Sequence, residues 1–295
     1  MSDAEDFNAL VNRAMQAENL VRMRPVVAKE LLHYDILYSL DRDGLLDQLT
    51  FQGGTALRLC YGSPRYSEDL DFVGGRDFSA SQVKGIKVCL ERYIGERYGL
   101  LVEVKEPKET AVLPEYANIK VDKWQIRITT SPARKDLPKQ AIKLEVANIP
   151  AYTRVPQAIK LNYDFLPDGY GDVLILTESL DEIMTDKIIA YVSSQKTIRY
   201  RDLWDLRWLK QHNASLNKDF FIRKVNDYQI ENYEALLISA KEKLESVIRS
   251  KEFVDQMSRF IPLDTLESTL YKPKFIDFLC VEIRAMLDEV GAWLA

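Results

Sequence analysis

Histidine and cysteine are the scarce residues here, two and three in 295. The cysteines, Cys60, Cys89 and Cys280, are scattered, and no two form the CxxC-type pair that would start a zinc site. An odd, widely spaced set of three also makes no disulfide framework, so a reducing cytoplasm is the expected compartment. A zinc hydrolase is therefore disfavoured, and a Ser-His-Asp hydrolase would depend on His33 or His212, both poorly placed for it. No apolar run approaches the ~20 residues a membrane span requires. The start, MSDAEDF, is acidic and without an apolar core, unlike a signal peptide. The chemistry left to the chain runs on carboxylates, lysines, arginines and backbone amides.

Hydrophobic residues make up 46% of the chain, enough for one large domain or two ordinary ones. A net charge of −5 argues against a wholly basic nucleic-acid coat, but the charge is unevenly spread. Between Lys120 and Lys160 there are nine Lys/Arg against three Asp/Glu, with Trp124 and Tyr152 among them. That segment suits an RNA backbone or a solvated strand face about equally.

The apolar spacing of Phe7, Leu10, Val11 and Ala14 predicts a helix, and Pro25 opens a second one running to about Asp41. A short strand from Leu49 to Gln52 ends on Gly53-Gly54. A helical segment from Thr55 to Tyr61 follows and is broken by Gly62-Ser63-Pro64. Asp69 to Val73 alternates like a strand. Ser79 to Tyr98 is helical, with Val83, Ile86, Val88 and Leu90 available for a core. Strands are expected at 101–104, 118–129, 140–147, 157–161 and 173–176. Helices follow from Ser179, whose Ser-Leu-Asp-Glu sequence reads as a capping box. The expectation is an α+β chain, residues 1–177 forming a mixed-sheet domain with N-terminal helices and residues 178–295 a helical domain.

The stretch with chemical content is Phe51-Gln-Gly53-Gly54-Thr55-Ala-Leu57, then Arg65-Tyr-Ser67-Glu68-Asp69-Leu70-Asp71-Phe72-Val73. Two glycines at a strand-to-helix turn let backbone approach a phosphate closely, and the new helix points its amides at the charge. Asp69 and Asp71, two apart on a strand, project from one face. Paired carboxylates beside a phosphate cradle suit divalent metal ions in phosphoryl or nucleotidyl transfer. Either element alone is usually a turn or a solvated strand end; their ordered combination is what carries weight.

On these residues the chain resembles the AbiEii/AbiGii toxin family of the DNA polymerase β-like nucleotidyltransferase superfamily. Gly54 stands where many nucleotidyltransferases have Ser, and 14 residues separate it from Asp69. Both departures are common in the toxin branch. The resemblance implies a nucleotidyltransferase-type mixed β-sheet core and a third carboxylate from a later strand. Within Ala141-Ile-Lys-Leu-Glu-Val146, residues Ile142, Leu144 and Val146 form one apolar face and leave Lys143 and Glu145 on the other. An ordinary amphipathic strand reads the same way, and the family pattern is what favours Glu145. The resemblance further implies that Lys187 and the stretch Arg199-Tyr-Arg201-Asp202-Leu-Trp-Asp205 border the nucleotide. Lys187, Arg199 and Arg201 would grip phosphates, with Asp202 orienting Lys187 or reading ribose or base.

So read, Asp69, Asp71 and Glu145 hold two Mg²⁺ ions, with Glu145 as ligand or general base, and Lys187 and Asp202 complete the catalytic set. Gly53, Gly54, Thr55, Arg65, Ser67, Lys187, Arg199 and Arg201 bind an NTP. The family implies a growth-inhibiting toxin of a toxin–antitoxin or phage abortive-infection pair. Its acceptor would be tRNA or another RNA, and its antitoxin a separately encoded protein that need not bind it. Two readings stay open beside this one: a nucleotidyltransferase acting on a small molecule such as an aminoglycoside, and an inactive nucleotide-binding module. The intact Asp69/Asp71 pair speaks against the module. Trp204 and Trp208, four apart, read as core, His33 as a buried helix residue, and His212 as a helix-end residue. Since this chemistry uses neither thiol nor imidazole, Cys60→Ser and His212→Ala are expected to leave nucleotide transfer nearly intact in a radiolabel assay.

Overall fold

The computed structural model describes residues 5–16, 20, 22–107, 119–131, 138–194 and 197–294. Two compact units divide them, one ending at Thr177 and the other beginning at Glu178. The first unit contains α1 (Phe7–Ala14), α2 (Arg24–Arg42), β1 (Thr50–Gln52) and α3 (Gly53–Ala56). One π-helical turn, Leu57–Tyr61, extends α3 and ends at Gly62, whose φ of 84° makes the left-handed cap. Then come β2 (Leu70–Val73), α4 (Ile86–Tyr98), β3 (Leu101–Lys105), β4 (Val121–Thr129), β5 (Gln140–Ala147), β6 (Val155–Ala158) and β7 (Leu174–Thr177).

The strands form one mixed sheet in the order β3-β4-β5-β2-β1-β7-β6. β2 sits at its centre, antiparallel to β1 and parallel to β5. One face is apolar: Phe51, Leu70, Phe72, Trp124, Ile126, Ile142, Leu144 and Val146 are all buried. Phe51 stacks on Phe72 at 4.8 Å. α2 packs against β5 and α4 against β3. The α+β class and mixed sheet expected from the sequence are present.

Local departures have physical causes. The expected helix from Ser79 is a 3₁₀ turn, Ala80–Val83, capped by Ser79 and Gln82, followed separately by α4. Val88 is 65% exposed, because it stands two residues from buried Ile86 and Leu90, on the far side of a 3.6-residue turn. The fourth of the expected middle strands is displaced to Val155–Ala158. It is the sheet's edge, where Pro156 lacks no necessary ladder bond. The expected strand start at Asn118 lies outside the described residues, as do Arg134 and Lys135 of the basic segment.

α2 is buried on nearly every side, so its polar residues need internal partners. Glu30 takes Arg58 bidentately at 2.7 and 3.0 Å. Asp35 accepts from Arg97, Tyr98 and Tyr170 at 2.9, 2.8 and 2.6 Å. Burial still pushes its carboxyl up to about 6, against the pull of Arg97.

The second unit is helical: α5 (Leu180–Ser193), α6 (Tyr200–Gln211), α7 (Lys218–Asp227), α8 (Tyr233–Ile248), α9 (Lys251–Met257), α10 (Leu263–Ser268) and α11 (Pro273–Leu294). No described helix is long and apolar enough to cross a membrane. Ser179 caps α5 by accepting from the Glu182 amide at 3.3 Å, while the Glu182 carboxylate meets Lys224 at 2.7 Å. Glu178, Glu182 and Asp186 lie close enough together for one divalent ion. The fully buried Lys224 ammonium takes the central position instead, 2.9, 2.7 and 2.7 Å from the three. Burial alone would lower the Lys224 pKa, but Asp186 and Glu178 hold it well above the usual range. Burial, and then Asp186, push Glu178 well up.

Lys224→Met would leave three buried carboxylates without their cation, at a cost of ~3–5 kcal/mol near neutral pH. A carboxyl raised in the folded state, as Glu178 is, contributes stability below its unfolded range that is lost as pH rises, so the deficit should shrink toward pH 5. Thermal melts of both proteins at pH 5 and pH 8 check this; an equal deficit at both would refute it.

Candidate active site

The register of β2 against its neighbours builds the site. Asp71 lies opposite Gln52 of β1 and opposite Glu145 of β5, and Glu145 lies opposite Lys123 of β4. Gln52, Asp71, Glu145 and Lys123 thus form one row across four strands, on the face opposite Leu70, Phe72 and Leu144. Asp69 precedes β2 and joins the same face through Oδ1, which accepts from the Lys143 amide at 3.0 Å. The Asp69/Asp71 pair and Glu145, from separate segments of the sequence, lie on one face. The side chains of Asp69 and Glu145 remain 29% and 25% exposed, open to a ligand.

Gly53 sits directly against this row. Its φ of 76° is left-handed, and a Cβ there would lie 2.7 Å from Asp71 Oδ2. Only glycine gives both that turn and that closeness. A Cβ on Gly54 would run into the Arg65 guanidinium and the Ser67 hydroxyl, so motif residues far apart in sequence pack on one another. Arg65 and Ser67 are both buried, and Arg65 Nη1 donates to the Tyr66 carbonyl at 2.7 Å. They brace the glycine turn from within. Thr55 donates its hydroxyl proton to the Asp69 carbonyl, tying the glycine turn to the start of β2.

The loop from Gly62 to Asp69 is held by residues that no motif singled out. Arg58 donates to the Ser63 carbonyl at 3.1 Å while paired with Glu30. Lys29 meets Glu68 at 2.9 Å, and His33 Nε2 donates to the Glu68 carbonyl at 3.0 Å. Burial lowers the His33 pKa to about 4, so the ring is neutral at physiological pH. The sequence signal for these anchors was polar residues within an otherwise apolar helix.

Two lysines accompany the carboxylates. Lys123 Nζ is 2.8 Å from Glu145 Oε1, and Lys143 Nζ is 3.8 Å from Asp69 Oδ2. A set of carboxylate oxygens suits a hard divalent cation. With two ammonium groups standing in as counter-cations and a glycine cradle that a Cβ would fill, the residues fit such an ion.

The remaining predicted residues form a second group within the helical unit. Lys187 on α5 pairs with Asp202 and Asp205 of α6 at 2.9 and 2.7 Å, all three buried. Arg199 also meets Asp202. Burial would raise the Asp202 carboxyl, but Arg199 and then Lys187 outweigh it and hold the group far below the usual range. Lys187 thus meets two carboxylates of α6 at once. Arg201 lies over the Phe260 ring at 5.0 Å. Trp204 and Trp208 are core, and His212 stacks on Trp208 while Nδ1 donates to its carbonyl at 2.8 Å.

The sequence model of the family described as "Nucleotidyl transferase AbiEii toxin, Type IV TA system" matches residues 35–284. Among solved structures, the chain is similar to MenT4, a nucleotidyltransferase toxin from Mycobacterium tuberculosis H37Rv. The TM-score is 0.57 and the identity 17%, over 97% of this chain and 92% of that one. A putative nucleotidyltransferase from H. pylori gives a TM-score of 0.49 and 19% identity, over 90% of this chain and 95% of that one. At 17% identity the likeness to the mycobacterial toxin is one of fold. No curated protein sequence matches the chain.

The neutral His33 yields a pH prediction. A histidine whose folded pKa is lowered from 6.5 to about 4 binds its proton first in the unfolded state, so stability falls as pH drops through that window. His33→Gln should remove this component, which amounts to up to ~3 kcal/mol. Denaturant unfolding of both proteins between pH 4 and 7 measures it as a difference; parallel curves would contradict the assignment.

Proposed function

The chain belongs to the AbiEii nucleotidyl transferase toxin family and is a nucleotidyltransferase, and from that premise we propose a metal-dependent toxin that transfers a nucleotidyl group from an NTP to an RNA acceptor. The observation that supports this most is the Asp71–Glu145 register, with Asp69 beside it and Gly53 against Asp71. Asp69, Asp71 and Glu145 are the residues that would hold divalent ions such as Mg²⁺. When bound, such ions neutralise the polyphosphate and make an acceptor hydroxyl more acidic.

The chain's own residues then have distinct tasks. The Gly53-Gly54 turn admits a triphosphate close to Asp71, because any side chain on Gly53 would fill that space. Thr55, Arg65 and Ser67 keep the turn and Asp69 in place. Glu145 serves as ligand, or as base for the acceptor proton. Lys187, oriented by Asp202 and Asp205, is the cation of the helical unit proposed for phosphate, together with Arg199 and Arg201 at the start of α6.

An RNA acceptor is supported by Lys105, Arg127 and Lys143, exposed on the sheet face that also carries the carboxylates. A separately encoded antitoxin follows from the type IV toxin family.

Purified protein with Mg²⁺, each α-labelled NTP and total RNA should label the RNA, and rising salt should weaken this steeply. Labelling of an added aminoglycoside with RNA unlabelled would establish the small-molecule reading instead. Asp69→Asn and Asp71→Asn should each abolish transfer and growth inhibition, and Glu145→Gln should reduce transfer by about 100-fold or more. Toxicity retained without transfer would sink the proposal.

A further inference from the structure

Lys123 belongs to no motif and was read from sequence only as part of a basic segment. The structure places it directly opposite Glu145 in the antiparallel β4–β5 ladder, with the ammonium 2.8 Å from Oε1. Its immediate neighbours along β4, Asp122 and Trp124, are buried; Lys123 lies on the other face, in the row that continues through Glu145 to Asp71. A half-buried cross-strand pair of this kind commonly does no more than stabilise a sheet by ~0.2–1 kcal/mol.

This pair differs in what its carboxylate is for. Asp69, Asp71 and Glu145 crowd three acidic groups onto adjoining positions of one face, and like charges so placed repel. Lys123 offsets that repulsion at Glu145, as Lys143 does less closely at Asp69, where the separation is 3.8 Å. The contact is also reversible in principle. The side chains of Lys123 and Glu145 are 27% and 25% exposed, so water can receive the ammonium when another cation takes the carboxylate. Lys224, wholly buried among its three carboxylates, has no such exit.

We infer that Lys123 is a displaceable counter-cation and positioning residue for Glu145, one that holds this carboxylate in the metal-free protein and competes with the divalent ion for it. The inference rests on the proposed metal role of the three carboxylates. Lys123 thereby sets the divalent-ion concentration at which the site loads. Neutralising it removes both a competitor and a nearby positive charge, and the two effects act in the same direction.

The test is a Mn²⁺ titration of the full-length protein without nucleotide, reading free Mn²⁺ by electron paramagnetic resonance. Thermal melts show which variants are folded. Lys123→Met should bind Mn²⁺ about fivefold tighter than wild type, and Lys123→Gln likewise. Lys123→Arg, which keeps the charge, should stay within about twofold of wild type. Asp71→Asn should bind much more weakly, which locates the binding at these carboxylates. Unchanged or weaker binding by folded Lys123→Met and Lys123→Gln would overturn the role of Lys123 while leaving the metal site standing. No binding by wild type, or binding indifferent to Asp71→Asn, would overturn the metal reading itself and the inference with it.

Discussion

The parallel pairing of β2 with β5 is the constraint on which the site depends, because its register puts Asp71 beside Glu145. A strand has a side-chain period of two, so a slip of one residue would set Glu145 against Leu70 or Phe72 and scatter the carboxylates over both faces. What prevents the slip is on the opposite side. Leu70, Phe72, Leu144 and Val146 are essentially inaccessible to solvent, and only one register buries all four while exposing the acids. The apolar face thus carries the free energy that holds three like charges together on the polar one. Stability and chemistry are built by alternate residues of the same two strands.

Three lysines illustrate how burial changes the meaning of one kind of contact. Lys224 is inaccessible and surrounded by Glu178, Glu182 and Asp186, so its ion pairs are a permanent part of the helical unit. Lys187, slightly accessible, is balanced by Asp202 and Asp205 and keeps a fixed direction. Lys123 is partly solvated and, among the described residues, pairs with Glu145, so exchanging it costs little. The N–O separations are nearly the same in all three; what differs is the cost of returning the charge to water. α2 follows the same rule. Its buried Glu30, His33 and Asp35 are each committed, and Glu30 and His33 thereby tie down the loop that delivers Asp69.

Period and punctuation made much of the fold legible. The strand at 140–147, the alternation at Asp69 to Val73 and the break at Gly62 all rest on local rules that tertiary contacts reinforce here. Val88 failed because a helix buries only the stripe that meets a neighbour, and that direction is not encoded locally. At Ser179 the hydroxyl accepts from the Glu182 amide as the capping sequence implies, and the Glu182 carboxylate also meets Lys224, a partner distant in sequence that no local pattern announces. Thr55 is placed beside a phosphate by its position in the motif, and what its hydroxyl meets within the chain is not written there. Its hydroxyl proton was claimed by the Asp69 carbonyl, brought to it by the fold.

The sequence by itself determined which chemistry was open to this protein, since two histidines and three scattered cysteines left carboxylates, glycines and cations to carry it. It also determined the glycine turn and the paired aspartates, because each depends on residues within a few positions of one another. Only the tertiary structure decided that Glu145 is Asp71's neighbour and that Lys123 is paired with Glu145 while Lys224 is sealed in. The physical reason is that strand register, burial and desolvation are set by residues far apart in the chain, whose separation in space no local pattern records.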